Sequence, residues 1–315
     1  MTLLKPLIER RADPFILRHV DGFYYFTASV PRYDRIELRR SRTIAGLADA
    51  TAVAVWHQPD RGPLAELIWA PEIHFNHGSW YVYFAAAPTR EIKDELFQHR
   101  MYAISTEAEN PLEGTWGPPR QIETGMDAFC LDATTFTHQD VLYYLWAQKE
   151  NGIRGNSNLY IAPMDAPDRI AAAPVRLSKP ELEWETRGFW VNEGPAAIIR
   201  NGKVFLSYSA SATDENYCIG LLHADEGADL LNPDNWRKSP EPVFKTCYEH
   251  GVYGPGHNSF TVSEDGSEDL LVYHARTYRE IVGDPLWNPD RHTFAKPLKW
   301  DENGMPIFGR PSLAE

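Results

Sequence analysis

One phrase recurs five times along this chain: a tight turn followed by a strand of aromatic and β-branched residues. It reads Asp21-Gly22-Phe23-Tyr24-Tyr25-Phe26, His77-Gly78-Ser79-Trp80-Tyr81-Val82-Tyr83, Gln139-Asp140-Val141-Leu142-Tyr143-Tyr144, Asn201-Gly202-Lys203-Val204-Phe205-Leu206 and Asp265-Gly266-Ser267-Glu268-Asp269-Leu270-Leu271-Val272-Tyr273. The starts fall roughly 60 residues apart, the length of one four-stranded antiparallel sheet with its loops, and a fixed period of that kind marks a radial array. The pattern predicts an all-β, five-bladed β-propeller of four-stranded blades. It would occupy residues 1–315 as a single domain, with its active site at the central channel.

Further strands follow each phrase. Arg100-Met101-Tyr102-Ala103-Ile104-Ser105, Asn158-Leu159-Tyr160-Ile161-Ala162 and Tyr217-Cys218-Ile219-Gly220-Leu221-Leu222-His223 alternate with the period of a half-buried strand. Trp116 and Trp236 follow as plugs at blade ends, and residues 291–308 read as a hairpin that completes the last blade. Residues 87–100 are too polar for a core strand and are expected to cover a channel mouth, with at most one helical turn.

Charge narrows the partners. Lys and Arg number 31 against 44 Asp and Glu, a formal charge of −13. That balance repels nucleic acid and anionic lipid, and a neutral ligand fits it better. Three cysteines at no metal-like spacing argue against a disulfide framework. Met1-Thr2-Leu3-Leu4-Lys5-Pro6 lacks an apolar run with a cleavage site, so the expectation is a cytoplasmic protein that engages neither membrane nor nucleic acid.

What precedes each phrase carries the chemistry. Ala12-Asp13-Pro14, Trp69-Ala70-Pro71-Glu72, Leu131-Asp132-Ala133, Asn192-Glu193-Gly194-Pro195 and Gly256-His257-Asn258 would begin the innermost strands and face the channel. Carboxylates gathered in one small volume raise one another's pKa and are costly to bury. Two of them across a sugar ring suffice for glycoside hydrolysis, one protonating the leaving oxygen and the other activating water or attacking directly. Trp69, Phe129 and Trp190 offer flat faces for the apolar side of a sugar, and Asn192 offers hydroxyl partners.

Four segments together resemble glycoside hydrolase family 43, the five-bladed arabinofuranosidases and xylosidases: Arg11-Ala12-Asp13-Pro14-Phe15-Ile16, Phe129-Cys130-Leu131-Asp132-Ala133, Trp190-Val191-Asn192-Glu193-Gly194-Pro195 and Gly254-Pro255-Gly256-His257-Asn258-Ser259. The resemblance implies an inverting displacement with Asp13 as general base, Glu193 as general acid and Asp132 as the carboxylate that raises and orients the acid. It implies substrate contacts from Trp69, Glu72, Phe129, Trp190, Asn192 and Arg276, the last reaching back toward the carboxylates. It also implies no organic cofactor, and a calcium-like ion on the axis at His257.

The stretch Tyr24 to Ile36 looks most like members that release terminal arabinofuranose from α-1,5-linked arabino-oligosaccharides, which would then be the partners of this chain. A β-xylosidase or an arabinoxylan arabinofuranohydrolase on the same fold remains open. So does a noncatalytic carbohydrate-binding propeller.

Overall fold

The computed structural model describes residues 5–311; residues 1–4, on which part of the leader argument rests, and 312–315 lie outside the described part. Five antiparallel sheets follow one another in chain order, each adding its strands outward from the first. Blade 1 holds Ala12–Arg18, Tyr24–Ser29, Arg35–Ser41 and Val53–His57; blade 2 holds Glu66–Asn76, Ser79–Ala87, Arg100–Thr106 and Arg120–Gln121. Blade 3 runs Cys130–His138, Val141–Gln148 and Asn158–Ala166, after which Arg169–Ile170 and Val175–Ser178 both pair with that third strand. Its outer position is thus shared by two short segments, a departure from four strands per blade. Blade 4 holds Asn192–Arg200, Lys203–Ala210, Cys218–Asp225 and Arg237–Lys238, and blade 5 holds Tyr253–Val262, Asp269–Arg276, His292–Trp300 and Pro306–Ile307.

The aromatic phrase is the second strand of every blade, which explains its composition: it is covered on both faces by neighbouring blades. Tyr24, Tyr25, Trp80, Tyr83, Tyr144, Trp146, Phe205 and Tyr208 are fully or nearly fully buried there, and each such side chain stabilises the fold by roughly 1.5–3 kcal/mol. The ring closes where Ile8, Ile16, Tyr24 and Phe26 pack with Val272. A short bridge between Ile8 and Thr293 joins the N-terminal segment to blade 5. The 291–308 hairpin supplies the third and fourth strands of that blade.

One backbone device repeats in all five blades. In each inner strand three residues span the distance that two span on the partner: Ala12 to Phe15 against Ser29 to Thr27, Trp69 to Glu72, Leu131 to Thr134, Glu193 to Ala196 and Gly256 to Ser259. This is a β-bulge, and its second residue adopts the left-handed conformation every time: Asp13 (φ 55), Ala70 (φ 44), Asp132 (φ 52), Gly194 (φ 53) and His257 (φ 42). A bulge re-aims side chains and leaves a backbone group without a ladder partner, and a non-glycine residue held this way costs about 1–3 kcal/mol.

Those unladdered amides are satisfied by neighbouring blades. Ala70 N–H donates to Ser29 Oγ (2.8 Å), His257 N–H to Ser209 Oγ (2.7 Å), Asp13 N–H to His274 Nδ1 (3.0 Å) and Gly194 N–H to Asp132 Oδ2 (3.1 Å). Backbone bookkeeping therefore ties adjacent blades together at one level of the axis.

Candidate active site

At that level the channel opens into a cavity of about 420 Å³, within the usual range of roughly 300–1,000 Å³ for small-molecule sites. Asp13, Asp132, Glu193 and His257 form its floor. The bulge explains how Glu193 joins the others without sharing their register. Asp13, Asp132 and His257 occupy the left-handed position, whereas Glu193 is one residue earlier, equivalent to Trp69 and Leu131, which also line the cavity. Because a bulge lets two consecutive side chains reach one side, Leu131 and Asp132 both face the cavity.

Two features favour glycine at position 194. Its φ is left-handed, and a Cβ there would stand 3.0 Å from the His257 ring. Gly256 similarly leaves room for Tyr217, whose ring would lie 2.3 Å from an added Cβ.

The carboxyls differ in environment. Asp13 accepts from Ser29 Oγ (2.6 Å), with Arg291 Nη1 at 3.5 Å and His257 Nδ1 at 3.3 Å from its other oxygen. Burial alone would raise its pKa, but the charges of His257 and Arg291 and the contact with His274 outweigh burial and hold it well below the ordinary range. Burial also lowers His257, and takes His274 down to about 3. Arg291 is consequently the permanent cation of the set.

Glu193 accepts from Tyr217 Oη at 2.8 Å. Burial, aided by the charge of Asp13, pushes it up to about 7 against the lowering effects of Tyr217 and Arg291. Asp132 is pushed well above its ordinary value by burial and by the negative charges of Glu193 and Asp13, with the Gly194 amide opposing. The floor thus holds one carboxylate pushed toward its ionised form beside two pushed toward their protonated forms, the arrangement that separates a base from an acid.

Trp69 and Phe129 line the cavity walls. Trp69 stacks at 4.0 Å on His99, a buried imidazole that burial lowers to about 3 and whose Nε2 meets Leu67 O at 3.0 Å.

Four expected contacts lie elsewhere. Trp190 alternates away from Phe189 and Val191, and its ring lies under the Arg154 guanidinium at 3.7 Å. Asn192 is fully buried behind the floor, accepting from Ser178 Oγ (2.6 Å) and donating to Glu185 Oε1 (3.0 Å). Glu72, which closes the blade-2 bulge two residues after the left-handed Ala70, meets His74 Nε2 at 2.9 Å, and His74 Nδ1 in turn lies 3.1 Å from Thr135 Oγ1 of blade 3. Arg276 does not reach the carboxylates: its three donors go to Asn288 Oδ1, Thr213 O and Pro285 O.

The arginine beside Asp13 is Arg291, whose Nη2 also donates to Tyr33 Oη (2.9 Å). Sequence reasoning missed Arg291, Tyr217 and Tyr33. Their shared signal is position, since each ends or nearly ends the loop before a third strand.

Calcium takes six to eight oxygen ligands. His257 instead presents its Nδ1 to Asp13 and, at 3.7 Å, to Asp132. Asp13 and Asp132 also accept from Ser29 Oγ and the Gly194 amide, so the protein oxygens beside this histidine fall short of that number, and an ion held there directly or through water would take waters as its remaining ligands. Among the described residues, Cys247, Glu249 and His250 bring three ligand atoms together, and none of them lines the cavity.

A family model described as glycosyl hydrolases family 43 matches residues 4–306. A Streptomyces avermitilis protein named extracellular exo-alpha-(1->5)-L-arabinofuranosidase is 52% identical over 99% of this chain and 64% of its own length. A protein of the same name from Streptomyces chartreusis is 51% identical over 89% of this chain and 84% of its own. The crystal structure of alpha-L-arabinofuranosidase from Lactobacillus brevis matches with a TM-score of 0.97 at 52% identity, covering 99% of this chain and 98% of that one. The chain therefore spans just under two thirds of the length of the Streptomyces avermitilis relative.

Both Streptomyces relatives are named extracellular, which overturns the expectation of a cytoplasmic protein. The first six residues were no guide to compartment.

Proposed function

Because the chain belongs to glycosyl hydrolase family 43, we propose that it removes terminal L-arabinofuranose from α-1,5-linked arabino-oligosaccharides by a single inverting displacement. The observation that carries this reading is that two carboxyls on the floor of one cavity lie in opposite surroundings: Asp13 sits against Arg291 and Ser29, which favour its ionised form, and Glu193 is buried against Tyr217, where burial pushes its pKa up to about 7. In the proposed step, Asp13 takes a proton from water as the water oxygen bonds to the anomeric carbon. Glu193 gives its proton to the glycosidic oxygen as that bond breaks, and the α-linked sugar leaves as the β-anomer.

Asp132 acts on Glu193 rather than on the sugar. Its buried carboxyl, fixed by the amide of Gly194, the residue next to the acid, orients that strand segment, while burial and the charge of Asp13 raise Glu193. Arg291 keeps Asp13 ionised, and Trp69 and Phe129 offer faces to the furanose. The arabinose specificity draws on the names of the half-identical relatives.

The test is proton NMR of the protein with α-1,5-arabino-oligosaccharides, with xylo-oligosaccharides and arabinoxylan in parallel. Arabinose appearing first as the β-anomer supports the proposal. The α-anomer would overturn inversion, xylose alone would move the assignment to a xylosidase, and no cleavage would point to a binding propeller.

A further inference from the structure

The rim of the cavity is made by one loop from each blade, the connection between its second and third strands: residues 30–34, 88–99, 149–157, 211–217 and 277–291. Those of blades 2 and 5 are the longest, and they flank the shortest, that of blade 1. They meet above it. Phe97 of the blade-2 loop and Trp287 of the blade-5 loop stand edge to face with centroids 6.4 Å apart, and the Arg90 guanidinium lies 5.4 Å over the Trp287 ring. Beneath them, Tyr33 contacts both Trp287 (6.0 Å) and Trp69 (5.9 Å).

The blade-5 half is pinned from inside the protein. Arg276 is 1% exposed, and its donors hold Pro285 O (2.8 Å) and Asn288 Oδ1 (3.0 Å) of this loop together with Thr213 O (2.5 Å) of the blade-4 loop. Tyr33 Oη donates to Leu286 O at 2.8 Å. A buried guanidinium with every nitrogen committed to loop acceptors is a rigid fastening.

We propose that residues 88–99 and 277–291 form an arch, closed by Phe97 and Trp287 and fastened by Arg276, that sets where this enzyme can cut a chain. The arch walls the cavity on the blade-1 side, so a polysaccharide cannot run on past the floor in that direction. The cavity then admits a chain end, and the remainder leaves toward blades 3 and 4, where Asn156 and the half-exposed Phe189 line the mouth. Arg276 is on this account a positioning residue, acting through the arch without touching the sugar. The inference rests on the exo-acting reading above and supplies its structural cause.

The experiment compares the first products from reducing-end-labelled linear α-1,5-arabino-oligosaccharides for the wild type, the double variant Phe97→Ala/Trp287→Ala, and Arg276→Gln. The wild type is expected to release monomer alone. Opening the arch should let internal bonds reach the floor, so that dimer and trimer rise from undetectable to at least about a tenth of the early product. Arg276→Gln should move the same ratio in the same direction by a smaller amount, with KM rising more than kcat falls.

A double variant that melts within a few degrees of wild type and still releases only monomer would overturn the arch. Should Arg276→Gln fail to fold, the double variant, which removes only rim side chains, still decides. A wild type that itself yields a ladder refutes the exo reading instead, so the two failures are distinguishable.

Discussion

Five bulges line the floor of the cavity with the same backbone, whereas five loops line its rim with different lengths of chain. On the floor every blade offers a left-handed residue at one level, and the blades differ only in which side chain they put there: Asp13, Ala70, Asp132, Gly194 or His257. At the rim, the loops of blades 2 and 5 are long enough to meet above the short loop of blade 1. On the proposed reading, chemistry sits on the repeated part and selection on the unrepeated part. A rigid, hydrogen-bonded frame keeps reacting groups in fixed geometry, while loops are free to vary around it.

The sharpest way to break this contrast is at the floor. Asp13→Ala should lower kcat by roughly 10²–10⁴ with little change in KM, because the base acts in the transition state. Glu193→Ala should lose about as much on oligosaccharides but far less on an aryl glycoside whose leaving group needs no proton. Equal losses on both substrates, by steady-state kinetics, would remove Glu193 from its role.

A smaller effect concerns Arg291. Asp13 is depressed in the folded protein, so its base function disappears only at pH well below the ordinary carboxylate range. Arg291→Met removes the permanent cation and should move the acid limb of kcat/KM upward toward pH 4. An unmoved limb would mean that another group keeps Asp13 ionised.

Stability gives the next test. Glu193 is raised from 4.5 to about 7 by burial, so the folded state holds this proton more tightly than the unfolded chain does. Its contribution is complete below about pH 4.5 and is lost as pH rises through 7. Glu193→Gln cannot titrate, and should therefore stabilise the protein at pH 8 by at most about 3 kcal/mol while changing little at pH 4. Thermal melts at the two pH values check the sign.

The smallest effect is expected from Trp190→Ala. Its ring packs with Arg154 outside the cavity, and kcat/KM should stay within about threefold of wild type.

The same contrast explains what the sequence disclosed. Asp13 and Asp132 could be found because they recur in register, and the aromatic second strands announced the blades. Glu193 could be found only through its local motif, since the bulge shifts it by one position. Arg276 and Arg291 show the limit. Both lie in the last blade, one ending a strand and the other preceding one. Only the return path of the 277–291 loop decides that Arg291 reaches Asp13 while Arg276 fastens the loop. That path depends on contacts with Tyr33 and Thr213, far away in the chain. Trp190 and Asn192 were misplaced for a simpler reason: alternation along the strand entry sends them to the opposite side from Val191 and Glu193.

The most direct measurement is the pH dependence of kcat/KM for the wild type and Tyr217→Phe, because that parameter reports the acid and base of the free enzyme. The wild type should lose activity as pH rises through about 7, where Glu193 gives up its proton. Removing the Tyr217 hydroxyl deletes a hydrogen bond that favours the ionised acid, so the alkaline limb should move to higher pH. A limb far from 7 that does not respond to Tyr217 would contradict the assignment of Glu193 as the proton donor.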